Sequence, residues 1–462
     1  MKKNLLYFLL MVLLMLTLAA CNNAPEDTPN PSTPENGATA NGQPSNERPD
    51  FAGQTLSISV NHLNQYYLEI PIERFKAAYP GVEVVVNKYD FGAAYAQQVG
   101  TRLMAGDADD IVEADRLDNR KIWESGLLTD FNPLMQNDPN FNEEDYYMNV
   151  IDAMAYQGKL TTFPIAFAYS VVGVNNLFSG RLAEQFNSHE TVGWRKMLDL
   201  YNNLEDKDER YLCCAADSLQ IFYTGVCSFI DFENKTCYFN SPEFIQFLTD
   251  LKNSTSSKMS ATYKFESLDY RPGLDNPGVL EEFALQYLFQ PFDMFTYLDY
   301  LMFMPESQKE FFTNFKPIAT DANELIILGY PAFSINEASQ NKELAWELIK
   351  FLTTPEALEN MLFPSMPVKR EMFKAYAPSN IMYSINKYQS AGFTIDGEAA
   401  DVLKQVMAIL EPYNEMPMKE DQHLRIDSKF YMDDFIAFLD GVLTAEQAAS
   451  AIQSKVSMYL ME

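Results

Sequence analysis

The chain has 462 residues, 47% of them hydrophobic and 13% aromatic, which is enough apolar side chain for sizeable cores. Its 64 acidic residues against 34 basic ones leave a formal charge of −30. A field of that sign repels nucleic acid and anionic lipid headgroups and excludes both as natural partners.

The first elements in the chain are targeting signals. Lys2 and Lys3 supply a positive start, Leu5 to Leu18 form an apolar run, and Ala19 and Ala20 end it with small side chains. The run falls short of the roughly 20 apolar residues of a spanning helix. Leu18-Ala19-Ala20-Cys21 resembles the lipobox of bacterial lipoproteins, which predicts a signal peptide over 1–20 and a lipid on Cys21. Residues 22–50 are rich in Asn, Pro, Ser, Thr and Gly and nearly devoid of large apolar groups, so 21–50 is predicted to be an anchored, disordered tether. The folded body begins near Phe51.

TLSISV, residues 55–60, alternates with β-branched side chains and predicts a strand. A loop over 61–67 follows, then a helix with Pro71 in its first turn, Ile72, Phe75 and Tyr79 on its inner face, and a stop at Pro80-Gly81. Val82 to Val86 is a second strand, and this βαβ start implies a parallel sheet flanked by helices. Farther on, Ser339 precedes a periodic run through Leu344, Leu348 and Leu352, and Thr354-Pro355 opens a helix with an N-cap and a first-turn proline. Thr444 and Gln447 have capping-box spacing ahead of Ala448, Ile452 and Val456.

Four cysteines, Cys213, Cys214, Cys227 and Cys237, share one short segment; they are read as buried free thiols or one local bridge, such as Cys227 to Cys237 across a hairpin. The three histidines, His62, His189 and His423, lie far from them and no CxxC spacing occurs, so no metal site is expected. GxSxG, HExxH, P-loop and GxGxxG patterns are all missing, and the carboxylate runs at Glu143-Glu144-Asp145, Asp206 to Glu209 and Glu281-Glu282 read as solvated surface. No enzymatic activity and no cofactor are expected.

Several longer stretches then fall into one order: FKAAYPGVEVVV, RLMAGDADDIVEADRLDNRKIWESGLLTDFNPL (102–134), YQGKLTTFPIAFAYSVVGVNNLF (156–178), TVGWRKMLDLYNNL, FNSPEFIQFLTDLKN, SINEASQNKELAWELIKFLTTPEALE, SMPVKREMF and LTAEQAASAIQSKVSMYL. In that order the chain resembles the extracellular solute-binding proteins of ABC importers, in the family that contains maltose-binding protein. The resemblance implies an α/β, two-lobe periplasmic-binding-protein-like fold of type II, with interleaved lobes joined by a hinge. Crossings near 166, 320 and 366 would put 51–166 and 320–366 in one lobe and 167–319 and 367–462 in the other. A small solute, a sugar or oligosaccharide above all, would be held between the lobes of a monomer lipid-anchored on the outer face of the cell membrane, extracellular or, in a source with two membranes, periplasmic, and passed to permease subunits. A peptide or other non-sugar ligand, or a sensor or adhesin role without transport, remains the alternative.

A sugar site needs short polar groups for hydroxyls and flat rings for the C–H faces. Asp115 and Arg116 fall where the resemblance implies a pair that bonds sugar hydroxyls; without it they read as a surface ion pair. The loop NHLNQYY offers Asn61, His62, Asn64, Tyr66 and Tyr67, and Tyr169 follows the first crossing. FQPFDMFTY contributes Phe292, Phe295 and Tyr297, and LRIDSKFYM contributes Asp427 and Tyr431. The family commonly stacks a tryptophan on its sugar, whereas Trp123, Trp194 and Trp346 all sit in helical, packing contexts; stacking would fall to Tyr and Phe.

Overall fold

The computed structural model describes residues 48–61, 65–90, 93–114, 117, 119–175, 180–204, 211–256, 289–293, 312–358, 366–373, 411–420 and 430–461. In chain order the first elements are β1 (Thr55–Asn61), α1 (Gln65–Ala78), β2 (Glu83–Tyr89), α2 (Ala93–Ala105), β3 (Ile111–Glu113), α3 (Asn119–Glu124), α4 (Phe131–Asn137), α5 (Met148–Ala153) and β4 (Phe163–Pro164). Then come β5 (Ala166–Asn175), α6 (Gly180–Asn187), α7 (Trp194–Asn202), β6 (Cys213–Cys214), α8 (Ala215–Val226), β7 (Ile230–Asp231), β8 (Thr236–Cys237), α9 (Pro242–Ser254) and β9 (Thr255–Ser256). The remainder comprises β10 (Phe289–Asp293), β11 (Phe312–Pro317), β12 (Leu325–Gly329), β13 (Ala332–Ile335), α10 (Lys342–Phe351), α11 (Pro355–Leu358), β14 (Met366–Pro367), β15 (Met418–Glu420), α12 (Met432–Leu439) and α13 (Ala445–Met461).

Two larger sheets organise these elements. The first runs β2-β1-β3-β13-β4, with β1 parallel to both β2 and β3, as the βαβ start predicts. The second runs β10-β5-β12-β15, and β11 and β14 also pair with β5. The chain leaves the first sheet at Ile165, between β4 and β5, and returns through Tyr330 and Pro331, between β12 and β13. β5 thus carries the chain from one core to the other: Ala166, Phe167, Tyr169 and Val171 belong to the first, Val172 and Val174 to the second.

Helix α1 departs from expectation. It begins at Gln65, so Pro71 lies inside the helix and not in its first turn, and Tyr66 and Tyr67 have helical backbone. Pro71 has no N–H for the carbonyl of Tyr67, a loss that normally breaks a helix. Leu68 is buried together with Ile72, Phe75 and Tyr79, so the apolar stripe extends one turn upstream and its burial offsets the missing bond.

The three tryptophans are packing residues. Trp346 lies 5.2 Å from Phe163 and 5.6 Å from Phe131 in the first core, and its indole N–H donates to Asp138 at 2.9 Å. Trp194 packs 4.2 Å from Phe247, and Trp123 lies 5.8 Å from Tyr156. Cys237 is a free thiol, and the β7–β8 hairpin sets it opposite Ile230, not Cys227. The run Glu143 to Asp145 forms one exposed turn. At the N-terminal edge of the body, Arg48 lies 5.4 Å above the Tyr79 ring and pairs with Glu356 at 2.7 Å.

Candidate ligand site

The order of the first sheet singles out the carboxyl ends of β1 and β3. From β1 the chain steps through α1 to β2 on one side, then through α2 to β3 on the other side of β1. That reversal makes the carboxyl ends of β1 and β3 a topological switch point, the place where open α/β sheets generally bind their ligands. The two segments proposed to touch ligand, 61–67 and 115–116, start from those two neighbouring strand ends.

The ends of β1 and β3 are fastened together by buried polar bonds. Asn61 ends β1 with no exposed surface, and both its backbone N–H and its side-chain amide donate to Glu113 Oε2 at 2.8 Å. Glu113 is equally enclosed, between Val112 and Ala114 on β3 and the segment after it. The Tyr95 hydroxyl, carried by α2 and fully buried, bridges the carbonyls of Ser59 at 3.2 Å and Glu113 at 2.9 Å. Ala114 N–H donates to the carbonyl of Ala332 at 2.9 Å and ties the outgoing loop to β13.

Asn61 therefore faces Glu113, with its side-chain amide engaged inside the protein. Tyr169 lies on β5 opposite Ile327 and is only 3% exposed, a core residue in this structure. Tyr431 is fully enclosed, its ring 5.9 Å from Phe222 and 6.2 Å from Tyr223. Phe292 holds a strand position opposite Val171 on β10. His62, Asn64, Asp115, Arg116, Phe295, Tyr297, Asp427 and Cys21 lie outside the described residues, as do the side chains of Tyr66, Tyr67 and Phe292. Glu113 and Tyr95 escape the sequence reading: the only local sign is a carboxylate inside the apolar stretch IVEA.

A recess of about 630 Å³ lies between the turn at Ala155–Gln157 and the β7–β8 hairpin, with Glu324, Lys419 and Glu420 among its lining. Near it Lys235 pairs with Glu124 at 2.9 Å, and the Tyr156 hydroxyl donates to the same carboxylate at 2.8 Å. Among the described residues no group of three or more His, Cys, Asp or Glu is placed to hold a metal ion.

Residues 60–176, from the end of β1 through both crevice loops to β5, match the family model for bacterial extracellular solute-binding proteins. Over these residues the chain is similar to that family. No curated protein matches it in sequence. Among solved structures, the sugar-binding protein MalE of Xanthomonas citri shares 14% identity and a TM-score of 0.58, covering 88% of this chain and 97% of that one. A periplasmic oligogalacturonide-binding protein of Yersinia enterocolitica gives 14% and 0.54 over 88% and 99%. A de novo designed esterase gives 15% and 0.53 over 88% and 98%. At these identities the likeness establishes the fold alone, the two-lobe, type II α/β architecture of periplasmic binding proteins.

Proposed function

We propose that this solute-binding protein is a lipid-anchored receptor that captures a small solute, a sugar or oligosaccharide, between its lobes and delivers it to an ABC permease. The observation that carries the reading is the family match over 60–176, which includes both loops of the switch-point crevice. The lobes are 51–166 with 320–366 and 167–319 with 367–462, closing on the solute by a hinge. Asp115 and Arg116 supply an acceptor beside a fork of donors for adjacent hydroxyls, with His62, Asn64, Tyr66, Tyr67, Phe292, Phe295, Tyr297 and Asp427 as further contacts. The body's net negative charge favours a neutral solute over an anionic one. Cys21 carries the lipid, and the tether keeps the receptor beside its transporter.

A thermal-shift screen of the body from Arg48 onward, against neutral and acidic saccharides with amino acids and short peptides in parallel, tests this. Ligand at 100 times its Kd adds about 2.7 kcal/mol of stability. A saccharide shift that disappears in Asp115→Ala supports class and site together. A peptide shift with every saccharide silent overturns the sugar assignment. Cys21→Ser should release the protein into the aqueous fraction; retention in the membrane fraction overturns the anchor.

A further inference from the structure

We propose that Glu113 is a positioning residue for ligand capture, a carboxylate that sets the spacing of the two crevice loops without touching the solute. The proposal rests on the reading of the crevice as the solute site. Parallel pairing between β1 and β3 is recorded for Ile58 with Ile111 and Ser59 with Val112. Beyond Ser59 and Val112 side chains take over. Glu113 Oε2 accepts both donors of Asn61, and Tyr95 spans the carbonyls of Ser59 and Glu113. The two Asn61 bonds join the root of one loop directly to the root of the other, and Tyr95 links the same two strand ends through α2, so together they fix the separation of the roots.

The chemistry at this position is costly. Ile111, Val112 and Ala114 are all fully buried, and an apolar side chain at 113 would pack there without the desolvation cost of an enclosed carboxylate. A carboxylate accepts two donors from one partner where an apolar group would leave both unpaired. The opposite end of the same strands provides an internal comparison. Asp110 also links β1 to the region of β3, accepting from the Ser57 N–H and hydroxyl at 2.8 Å and from the Ser339 hydroxyl at 2.6 Å, but at the end remote from the loops. Three carboxylates therefore fasten one strand pair, Asp109 by accepting from the Ser59 hydroxyl, and among the described residues Glu113 alone does so at the end from which the crevice loops leave.

The test exchanges donor and acceptor. Asn61→Asp sets two carboxylates against each other, whereas Asn61→Asp with Glu113→Gln restores a donor and an acceptor in swapped positions. Hydrogen exchange of segments 58–68 and 111–122 is read in each variant, together with titration of maltotriose or whichever screened saccharide gives the larger thermal shift. Asn61→Asp should speed exchange in both segments and weaken binding by at least about tenfold, the loss of a hydrogen bond to a charged group. The double variant should return both towards wild type, and Asp110→Asn should lower Tm while leaving binding and the exchange of the crevice segments unchanged. If Asn61→Asp does not fold, Asn61→Ala removes the side-chain donor and takes its place. Unaltered exchange in the two segments, or a double variant that folds but recovers neither reading, overturns the proposal. A wild-type protein silent to every saccharide overturns the function reading instead, and the exchange measurement, which needs no ligand, still decides the role of Glu113.

Discussion

Lys350 is a buried cation in the first core, its side chain only 11% exposed, between Asp138 at 2.5 Å and Glu347 at 2.7 Å. Asp138 also accepts from the Trp346 indole, and the Tyr79 hydroxyl donates to Glu347 at 2.5 Å, so both carboxylates are tied to aromatic packing as well as to the cation. Burial alone would raise the Asp138 carboxyl, but the Lys350 hydrogen bond, helped by the Asn140 N–H, holds it below its ordinary value. A folded-state value lowered in this way stabilises the protein above the unfolded carboxylate range, about pH 4, and the contribution is lost as pH falls through the lowered value. Lys350→Met should cost about 3 kcal/mol near neutral pH, because it leaves two enclosed carboxylates without their cation. The gap between wild type and variant should narrow as pH falls from 6 to 3, since protonation relieves the variant. Urea unfolding across that range measures it, and a gap independent of pH would show that the charge pairing does not stabilise the fold.

Helix ends and helix contacts are the next scale. The Thr444 N–H donates to the Gln447 side chain at 2.9 Å and the Gln447 N–H donates to the Thr444 hydroxyl at 3.3 Å, the reciprocal box that the T-A-E-Q spacing predicts at the start of α13. Thr444→Ala should cost about 1 kcal/mol, read as a lower urea midpoint with the same slope. Gly225 on α8 is a different case: a Cβ there would stand 2.5 Å from the ring of Phe247, itself 2% exposed and packed by Trp194. Alanine gains about 1 kcal/mol of helix propensity, yet overpacking an enclosed ring costs about 1–3 kcal/mol, so Gly225→Ala should lower Tm. Caps are legible because donor and acceptor lie three residues apart, as with Thr354, whose hydroxyl accepts from the Ala357 N–H at 3.3 Å. The contact of Gly225 with Phe247 and the bond of Asn61 to Glu113, 52 residues away, have no local spacing to reveal them. The early start of α1 is hidden for the same reason: Pro71 is a local signal for a boundary, and the burial of Leu68 that overrides it is a tertiary one.

At the scale of the whole molecule the chain order and the sheet order disagree, and that has a consequence for folding. β1 to β4 come from one continuous segment, but β13, from more than 150 residues later, stands between β3 and β4, pairing Ile335 with Ile111 and Phe333 with both Glu113 and Phe163. With β13 comes α10, whose Leu344, Trp346, Leu348, Ile349 and Phe351 are buried in the same core. These side chains, with Phe333 and Ile335, are worth about 2 kcal/mol each when buried. Their sum matches or exceeds the roughly 5–15 kcal/mol that separates a native domain from its unfolded chain. A fragment of residues 48–165 should therefore remain unfolded by circular dichroism and give a poorly dispersed amide spectrum, although it contains the first four strands and both crevice loops. Supplying residues 320–358 in trans should restore structure by inserting β13 and α10, with a Tm below that of the intact chain because association is then concentration-dependent. A fragment 48–165 that folds alone would mean that β3 and β4 close the sheet without β13, and that the return of the chain through Tyr330 and Pro331 is not required to bring the ends of β1 and β3 together.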